Sequence, residues 1–336
     1  MSRDIQPQCL IGVDVGGTKT LALLVELAPG LPPRVVDREL VPSEAGSDES
    51  IEQIERAVEA ILDRATTRPS AIGVGLAGFV DRHGIVRSAP NSAGLIGIDV
   101  AARLEERFGV PAVVDNDANC VAVATHALAE PDAQSLVAIT LGTGIGGGIV
   151  IGHRLLRGAN GFAGEPGHMV IERGGVLCPC GQRGCWEVYA SGSGLERLAR
   201  EAIEAGEAEG LREAAGSAAA LRGEHVTDRL SDGDPEALAI FERYAGYVAV
   251  GLANLLVLLD PQVIVIGGGV SRHGALLLEL ITRELDDGYP SAVAGRSTRI
   301  LVAPDGPDAG AIGAAVLGAQ RLASHESVAG HGGPGE

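Results

Sequence analysis

The chain has 336 residues, of which 46% are hydrophobic and 21% are charged, and this balance excludes a disordered or fibrous protein. The length is sufficient for two globular domains of ordinary size. The formal net charge of -18 excludes the basic surface with which proteins bind nucleic acid or anionic membranes without specificity.

The chain begins with the pattern of a β-hairpin. An apolar run over 10–14 is followed by the glycine-rich segment 15–20 and by a second apolar run over 21–27. Residues 136–151, LVAITLGTGIGGGIVI, repeat this order of apolar strand, glycine-rich tip and apolar strand. A repeat at about half the chain length favours duplicated α/β units, although two similar hairpins can also arise by chance.

Strand and helix patterns alternate along the rest of the chain. Apolar residues at 51, 54, 58, 61 and 62 have the spacing of one face of an amphipathic helix. The same reasoning predicts buried strands at 71–76, 112–114 and 263–266, and helices near 49–64, 99–108, 194–205, 235–259, 274–287 and 309–322. The segment 206–233 predicts a surface loop or a short helix, and we expect the tail 324–336 to be disordered.

The N-terminus and the hydropathy bear on localisation. The segment MSRDIQPQ lacks the apolar run of a signal peptide, and we find no stretch of about 18 uncharged apolar residues. We therefore expect a cytoplasmic protein without a membrane span.

The glycine-rich segments indicate phosphate binding, but not a dinucleotide site. The pattern G-x-G-x-x-G occurs at 142–147 and again at 73–78, yet the first match is followed by another strand-like run where the motif requires a helix. A Walker A loop is also excluded, because Thr18 separates the glycine from Lys19. Bare backbone at a hairpin tip can donate N–H groups to phosphate oxygens, and Asp14 can hold Mg²⁺. Each hairpin tip alone predicts a tight turn. The two tips and the glycines at 267–269, taken together, favour a nucleotide site.

A candidate catalytic carboxylate follows the predicted strand at 112–114. The segment VVDNDAN over 113–119 places two aspartates and two asparagines at a strand end, where α/β folds display functional groups. Either aspartate can instead cap the helix that follows. In the functional interpretation, Asp117 accepts the proton of an attacking hydroxyl and Asn116 binds a neighbouring hydroxyl.

Three of the five cysteines lie within eight residues. His168, Cys178, Cys180 and Cys185 form the ligand set of a closed tetrahedral zinc site, and four protein ligands leave no open position for catalysis. A redox pair is the main alternative. Glu165 and Glu187 flank these ligands, and a structural zinc would hold their carboxylates in place to bind the hydroxyls of a polyol; the alternative is ordinary surface acid.

Five motifs, in their mutual order, resemble the ROK family of bacterial sugar kinases and sugar-responsive repressors. They are DVGGTK from Asp14, NDAN from Asn116, LGTGIGGG from residue 141, EPGH from Glu165 and CPCGQRGCWE from Cys178. The resemblance covers about residues 10–320. Within the family, the chain is most similar to the glucokinases. It implies an α/β, two-domain, actin-like and hexokinase-like (ribonuclease H-like) fold with duplicated units and an interdomain cleft. The implied domains are 1–117 plus about 306–323, and 118–305 with a zinc loop at 168–187.

The resemblance also implies an activity and its residues. ATP and Mg²⁺ would be the donor and its ion, zinc would be structural, and the protein would be a homodimer or homotetramer. Asp117 would be the general base. The sugar would contact Asn116, Asp117, Glu165, His168 and Glu187, with Gly78 and Asn91 as additions. The nucleotide and its phosphates would contact Asp14, Gly16, Gly17, Thr18, Lys19, Thr143, Gly144 and Gly268.

The expected reaction is phosphorylation of the 6-hydroxyl of glucose. Many relatives carry a tryptophan shortly after the position of Asn91, where this chain reads SAGLIGI. An N-acetylmannosamine kinase or another hexose kinase is therefore the alternative. A repressor of the same family would need a DNA-binding domain before the first hairpin, and only nine residues precede Leu10.

Overall fold

The structure is a computed structural model that describes residues 7–17, 19–42, 50–89, 92–303 and 306–329, with the backbone alone for residues 50, 270, 271 and 324–329. The chain divides into two compact units. The first unit contains Met1–Gln134, Gly148–Gly164 and Gly306–Glu336, and the second contains Ser135–Gly147 and Glu165–Asp305. The domain limits given by the resemblance stay a prediction.

In the described part of the chain, the strands form two five-stranded sheets and one short ribbon. In chain order they are β1 (Gln8–Val15), β2 (Lys19–Leu27), β3 (Arg34–Pro42), β4 (Ile72–Leu76), β5 (Phe79–Val80), β6 (Val86–Ser88), β7 (Ala112–Asn116), β8 (Ser135–Leu141), β9 (Ile145–Ile151), β10 (Arg154–Leu155), β11 (Val263–Gly267) and β12 (Arg299–Val302).

Eleven helices accompany these strands in the described part of the chain. They are α1 (Ser50–Leu62), α2 (Val100–Phe108), α3 (Asp117–Ala129), α4 (Glu187–Ala190), α5 (Gly192–Glu204), α6 (Glu209–Ala215), α7 (Gly223–Ser231), α8 (Pro235–Leu259), α9 (Gly274–Gly288), α10 (Pro290–Val293) and α11 (Ala309–Ala329).

The two large sheets have the same topology. Their strand orders are β3-β2-β1-β4-β7 and β10-β9-β8-β11-β12. In the first sheet, β1 pairs antiparallel with β2 and parallel with β4. In the second, β11 pairs parallel with both β8 and β12, and β10 pairs antiparallel with β9. This equivalence confirms the predicted duplication.

The core of the first unit follows from the two-residue period of its strands. Ile11 and Val13 pack into a cluster with residues of α1 and α2, whereas Leu10 packs with α11 on the other face. At Gly12 an added Cβ would lie 1.8 Å from the carbonyl oxygen of Ala311, so only glycine allows the backbone of α11 to approach β1 this closely. This contact places the first residues of α11 beside the end of β1.

The second unit has a core around α8. Among the described residues, α8 is the one helix that is long and apolar enough to cross a membrane. Its buried residues include Phe241, Tyr244 and Val248, and the indole of Trp186 is completely buried against it. The composition of α8 is therefore that of a core helix.

Most of the predicted helices and strands are confirmed, with small differences in their ends. The segment 206–233, predicted to be a surface loop or a short helix, contains the two short helices α6 and α7. The closing helix continues to Ala329, beyond its predicted end at residue 322. The remainder of the tail predicted to be disordered lies outside the described residues.

Candidate functional site

The tip of the first hairpin lies beside the start of α11. Asp14 is near the end of β1, and the N–H of Gly16 donates to the carbonyl of Lys19 at 3.0 Å, which closes the turn. At Gly310 an added Cβ would lie 2.7 Å from the carboxyl carbon of Asp14, so the carboxylate fits only against a bare helix backbone. The neighbouring Thr18, also a predicted site residue, lies outside the described residues.

Asp117 is the first residue of α3, directly after β7, but it does not cap the helix. The cap is Asn116, whose Oδ1 accepts the N–H of Asn119 at 3.1 Å. Asp117 Oδ1 accepts the N–H of Ala118 at 2.8 Å, the carboxylate also interacts with the N–H of Asp117 itself, and within the described part of the chain no further residue donates to it. Since Asn116 performs the capping, the Asp117 carboxylate keeps an oxygen that can accept a proton.

The carboxylates of Asp14 and Asp117 both have raised pKa values. Burial, and after it the negative charge of Asp117, raise the pKa of Asp14 to about 6, while the positive charge of Lys19 opposes the shift. Burial also raises the pKa of Asp117. Two partly desolvated carboxylates with one nearby lysine form an environment in which a divalent cation would relieve the repulsion. The residues present therefore fit the predicted Mg²⁺, with Asp14 as its ligand.

A hydrogen-bond network that the sequence analysis missed holds this segment. Asp115 is buried; its Oδ1 accepts from Asn119 Nδ2 at 2.8 Å and from the N–H of Asn116 at 2.9 Å, and its Oδ2 accepts from Arg157 Nε at 2.7 Å. The side-chain amide of Asn116 donates to the carbonyl of Gly78 at 3.0 Å. The structure thus brings together two predicted sugar-binding residues, Asn116 and Gly78, and leaves Asn91 outside the described residues.

In the second unit, Glu165 and His168 belong to one short turn. Pro166–His168 form a 3₁₀ helix, and the N–H of His168 donates to the carbonyl of Glu165 at 3.2 Å. The turn packs against the start of β9, where a Cβ at Gly167 would lie 2.3 Å from the carbonyl oxygen of Ile145. Close packing of the turn on a strand fixes the backbone at both positions.

The four predicted zinc ligands meet in one cluster. One ligand atom each from His168, Cys178, Cys180 and Cys185 lie within 4.8 Å of one another. This spacing suits tetrahedral zinc, in which bonds of about 2.3 Å to sulfur hold the ligands about 3.5–4 Å apart. None of the three cysteines forms a disulfide. The donor set therefore fits a closed, structural zinc ion better than a redox pair.

Glu187 links this cluster to the tip of the second hairpin. Its Oε1 accepts from Cys178 Sγ at 3.0 Å and lies 3.7 Å from His168 Nδ1. Its Oε2 lies 3.5 Å from the N–H of Ile145, and a Cβ at Gly144 would lie 2.8 Å from the same oxygen. The structure therefore brings Gly144, which the sequence analysis assigned to the phosphates, close to Glu187, which it assigned with His168 to the sugar.

The chain after the cluster is anchored in the core of the second unit. Trp186 Nε1 donates to the carbonyl of Tyr247 at 2.8 Å, and its ring occupies space left by Gly251, where a Cβ would lie 2.0 Å from the indole. The hydroxyl of Tyr189 accepts the N–H of Val176 at 2.8 Å. These contacts fix the chain on both sides of Glu187.

The remaining predicted nucleotide-binding residues lie at two adjacent strand ends. Thr143 is exposed at the tip between β8 and β9, and the N–H of Gly192 donates to the neighbouring carbonyl of Gly142 at 2.7 Å. Gly268 follows β11 with φ of 97°, and its added Cβ would lie 2.5 Å from the carbonyl oxygen of Leu141. Only glycine tolerates both this backbone angle and this contact.

The whole chain was compared with known proteins. The sequence profile of the ROK family matches residues 10–321. The chain belongs to the ROK family. The ROK resemblance drawn from the five motifs is thereby confirmed.

Curated ROK relatives are similar over nearly the full length. The glucokinase of Streptomyces coelicolor is 35% identical over 321 residues, which are 91% of this chain and 96% of that protein. The N-acetylmannosamine kinase of Escherichia fergusonii is 30% identical over 309 residues, which are 91% of this chain and 97% of that protein.

A solved structure supports the same conclusion for the fold. The ROK family glucokinase from Streptomyces griseus, crystallised in complex with glucose and AMPPNP, superimposes with a TM-score of 0.77 and 36% identity over 93% of this chain and 99% of that one. This match confirms the predicted actin-like and hexokinase-like α/β fold.

Proposed function

We propose that this ROK family sugar kinase transfers the γ-phosphoryl group of ATP to the 6-hydroxyl of glucose and so forms glucose 6-phosphate. The observation that carries the proposal is the state of Asp117, a desolvated carboxylate with one oxygen committed to Ala118 and the other available. The glucokinase names of relatives at 35% and 36% identity support glucose as the acceptor.

Asp117 acts as the general base in this proposal. Burial raises its pKa, which makes the carboxylate a better proton acceptor than one in water. It takes the proton of the 6-hydroxyl as the oxygen attacks phosphorus. The hydrogen bonds from Arg157 and Asn119 to Asp115 hold the segment in place, so that the position of the base is maintained.

We assign the other hydroxyls of the sugar to side chains with matching polarity. Asn116, Glu165, His168 and Glu187 are the hydrogen-bonding partners, and Gly78 and Asn91 are contacts beside them. The structural zinc, held by His168 and the three cysteines, would contribute by holding His168 and the chain that leads to Glu187 in fixed positions.

Main-chain groups bind the phosphates in this proposal. Lys19 is the only lysine of the chain, so N–H groups at the two hairpin tips supply most of the donors. These are Gly16, Gly17 and Thr18 in the first tip and Thr143 and Gly144 in the second, and Gly268 is the contact for the nucleoside. When bound, Mg²⁺ on Asp14 supplies the positive charge that neutralises the phosphates.

An N-acetylmannosamine kinase is the second candidate. The relative at 30% identity with that activity supports it, as does the segment SAGLIGI after Asn91, which lacks the tryptophan expected of many relatives. The two candidates differ in the sugar alone, and the proposed base and phosphate contacts serve both.

A coupled assay of ADP release tests the proposal on glucose, mannose, N-acetylglucosamine and N-acetylmannosamine. We expect the highest kcat/KM for glucose and formation of glucose 6-phosphate, identified by its NADP⁺-dependent oxidation. A higher kcat/KM for N-acetylmannosamine would favour the second candidate. No ADP release with any of the four sugars would refute the proposed activity.

We further propose that the protein acts in the cytoplasm as a homodimer or homotetramer. Membership of the ROK family supports the first part. Light scattering during size-exclusion chromatography tests the second, with a monomer of 34.2 kDa as the contradicting result.

A further inference from the structure

The first unit contains a cavity of about 830 Å³ that none of the proposed catalytic residues lines. Its walls come from the loop at 80–84, the edge strand β7, the turn and chain at 153–157 and the last described side chains of α11. Four arginines line it, and we call it the basic cavity: Arg82, Arg154, Arg157 and Arg321, accompanied by His83 and His153. Its size is that of a site for a small metabolite.

The two carboxylates in the lining are already neutralised. Asp81 accepts from Arg87 Nε at 2.8 Å and from two backbone N–H groups, and Asp115 accepts from Arg157 Nε at 2.7 Å. Because both acids are satisfied, they do not offset the remaining positive charge of the cavity.

Among the residues that the structure describes, three of these arginines have no acidic partner. Arg82 makes one long hydrogen bond, of 3.4 Å, to the carbonyl of Ala159. In the described part of the chain, the side chains of Arg154 and Arg321 make no hydrogen bond or ion pair. A concentration of free guanidinium groups is unexpected in a protein with a net charge of -18, where carboxylates outnumber cations.

The backbone at the rim is held in an uncommon conformation. His153 has φ of 61°, one of two non-glycine residues with positive φ in the described chain. Its Nδ1 lies 3.3 Å from His126 Nε2, and its Nε2 lies 2.6 Å from Gln134 Nε2. Residues in such conformations concentrate at functional sites. The turn that carries Arg154 is thus fixed by its neighbours.

We propose that the basic cavity binds a phosphate-bearing small molecule, either a sugar phosphate or an oligophosphate. Guanidinium groups are planar forks that form paired hydrogen bonds with phosphate oxygens, and four arginines line this one concave space. The site is separate from the proposed catalytic residues, and the proposal does not depend on the kinase activity.

Isothermal titration tests the proposal with three probes: inorganic phosphate, glucose 6-phosphate and tripolyphosphate, in magnesium-free buffer at constant ionic strength. The wild-type protein is compared with the cavity variant Arg154→Gln/Arg321→Gln. Arg157 is left intact because it holds Asp115. The control is Arg56→Gln/Arg283→Gln, which removes the same charge at two exposed positions outside the cavity.

We expect at least one probe to bind the wild type and the control with equal affinity, and the cavity variant at least about tenfold more weakly. Tighter binding of glucose 6-phosphate than of tripolyphosphate assigns the site to a sugar phosphate, and the reverse order assigns it to an oligophosphate. Equal dissociation constants in all three proteins, or no saturable binding of any probe to the wild type, would overturn the proposal.

A second measurement needs no variant. Phenylglyoxal modifies accessible arginines, and peptide mass spectrometry locates the modified positions. A bound probe is expected to protect Arg154 and Arg321 but not Arg56. Equal modification of all three positions with and without the probe contradicts the proposal.

Discussion

Replacement of Asp14 by asparagine should make the protein more stable and inactive at neutral pH. The carboxylate of Asp14 is buried beside the charge of Asp117, and these two effects raise its pKa from 3.8 to about 6. The folded state therefore disfavours the ionised carboxylate relative to the unfolded state. Asparagine has a similar shape and carries no charge, so Asp14→Asn removes this penalty.

The size of the effect follows from the pKa shift. A raised pKa means that stability is lost as the pH rises from about 4 to about 6 and stays reduced above that range. A shift of about two units corresponds to about 3 kcal/mol as an upper value. For a chain of this length we expect the thermal midpoint of Asp14→Asn to be several degrees above that of the wild type at pH 7.5. The difference should vanish near pH 4.

Differential scanning calorimetry in magnesium-free buffer measures these midpoints across pH. Chelators are left out of the buffer so that any bound zinc is retained. The control is Asp63→Asn, which removes an exposed carboxylate and should leave the midpoint nearly unchanged. An Asp14→Asn protein that is no more stable than the wild type at pH 7.5, or whose added stability does not depend on pH, would refute the reasoning.

Three further predictions concern other parts of the site. Removal of zinc with a chelator should lower both the thermal midpoint and the glucose affinity, because the ion holds the loop that leads to Glu187. A titration measures the glucose affinity of the metal-free protein. An unchanged affinity would contradict the structural role of the ion. Gly251→Ala places a Cβ against the indole of Trp186 and should destabilise the protein by about 1–3 kcal/mol in urea denaturation; an unchanged midpoint and slope would be the contrary result. Acetylation of Lys19, the only lysine, should abolish activity and be prevented by MgAMPPNP, which activity assays and mass spectrometry follow together; a fully acetylated and active enzyme would disprove its assignment.

Local sequence patterns predicted the elements that are strongly periodic or strongly apolar. Helix α1 was predicted because its apolar residues repeat at helical spacing, and both hairpins because apolar runs flank glycines. Strands β3 and β12 were missed because neither has a fully buried residue, so their sequences carry no continuous apolar signal. The capping residue of α3 is Asn116 and not an aspartate, since sequence alone does not choose between adjacent capping side chains.

The same limit applies to the candidate site. The cysteine cluster was predictable because its four ligands lie within one short segment and their chemistry is distinctive. The hydrogen bond from Arg157 to Asp115 was not predictable from the sequence, because the two residues are separated by 42 positions and meet only through tertiary folding. The basic cavity escaped prediction for the same reason, since its arginines come from three separate parts of the chain.

The most direct test of the account is the comparison of turnover and sugar binding in Asp117→Ala. The account predicts that kcat falls by at least about 10²-fold, since the general base is lost, while titration gives a glucose dissociation constant within a few-fold of the wild type. A variant that retains the wild-type kcat would show that another group takes the proton and would contradict the central claim.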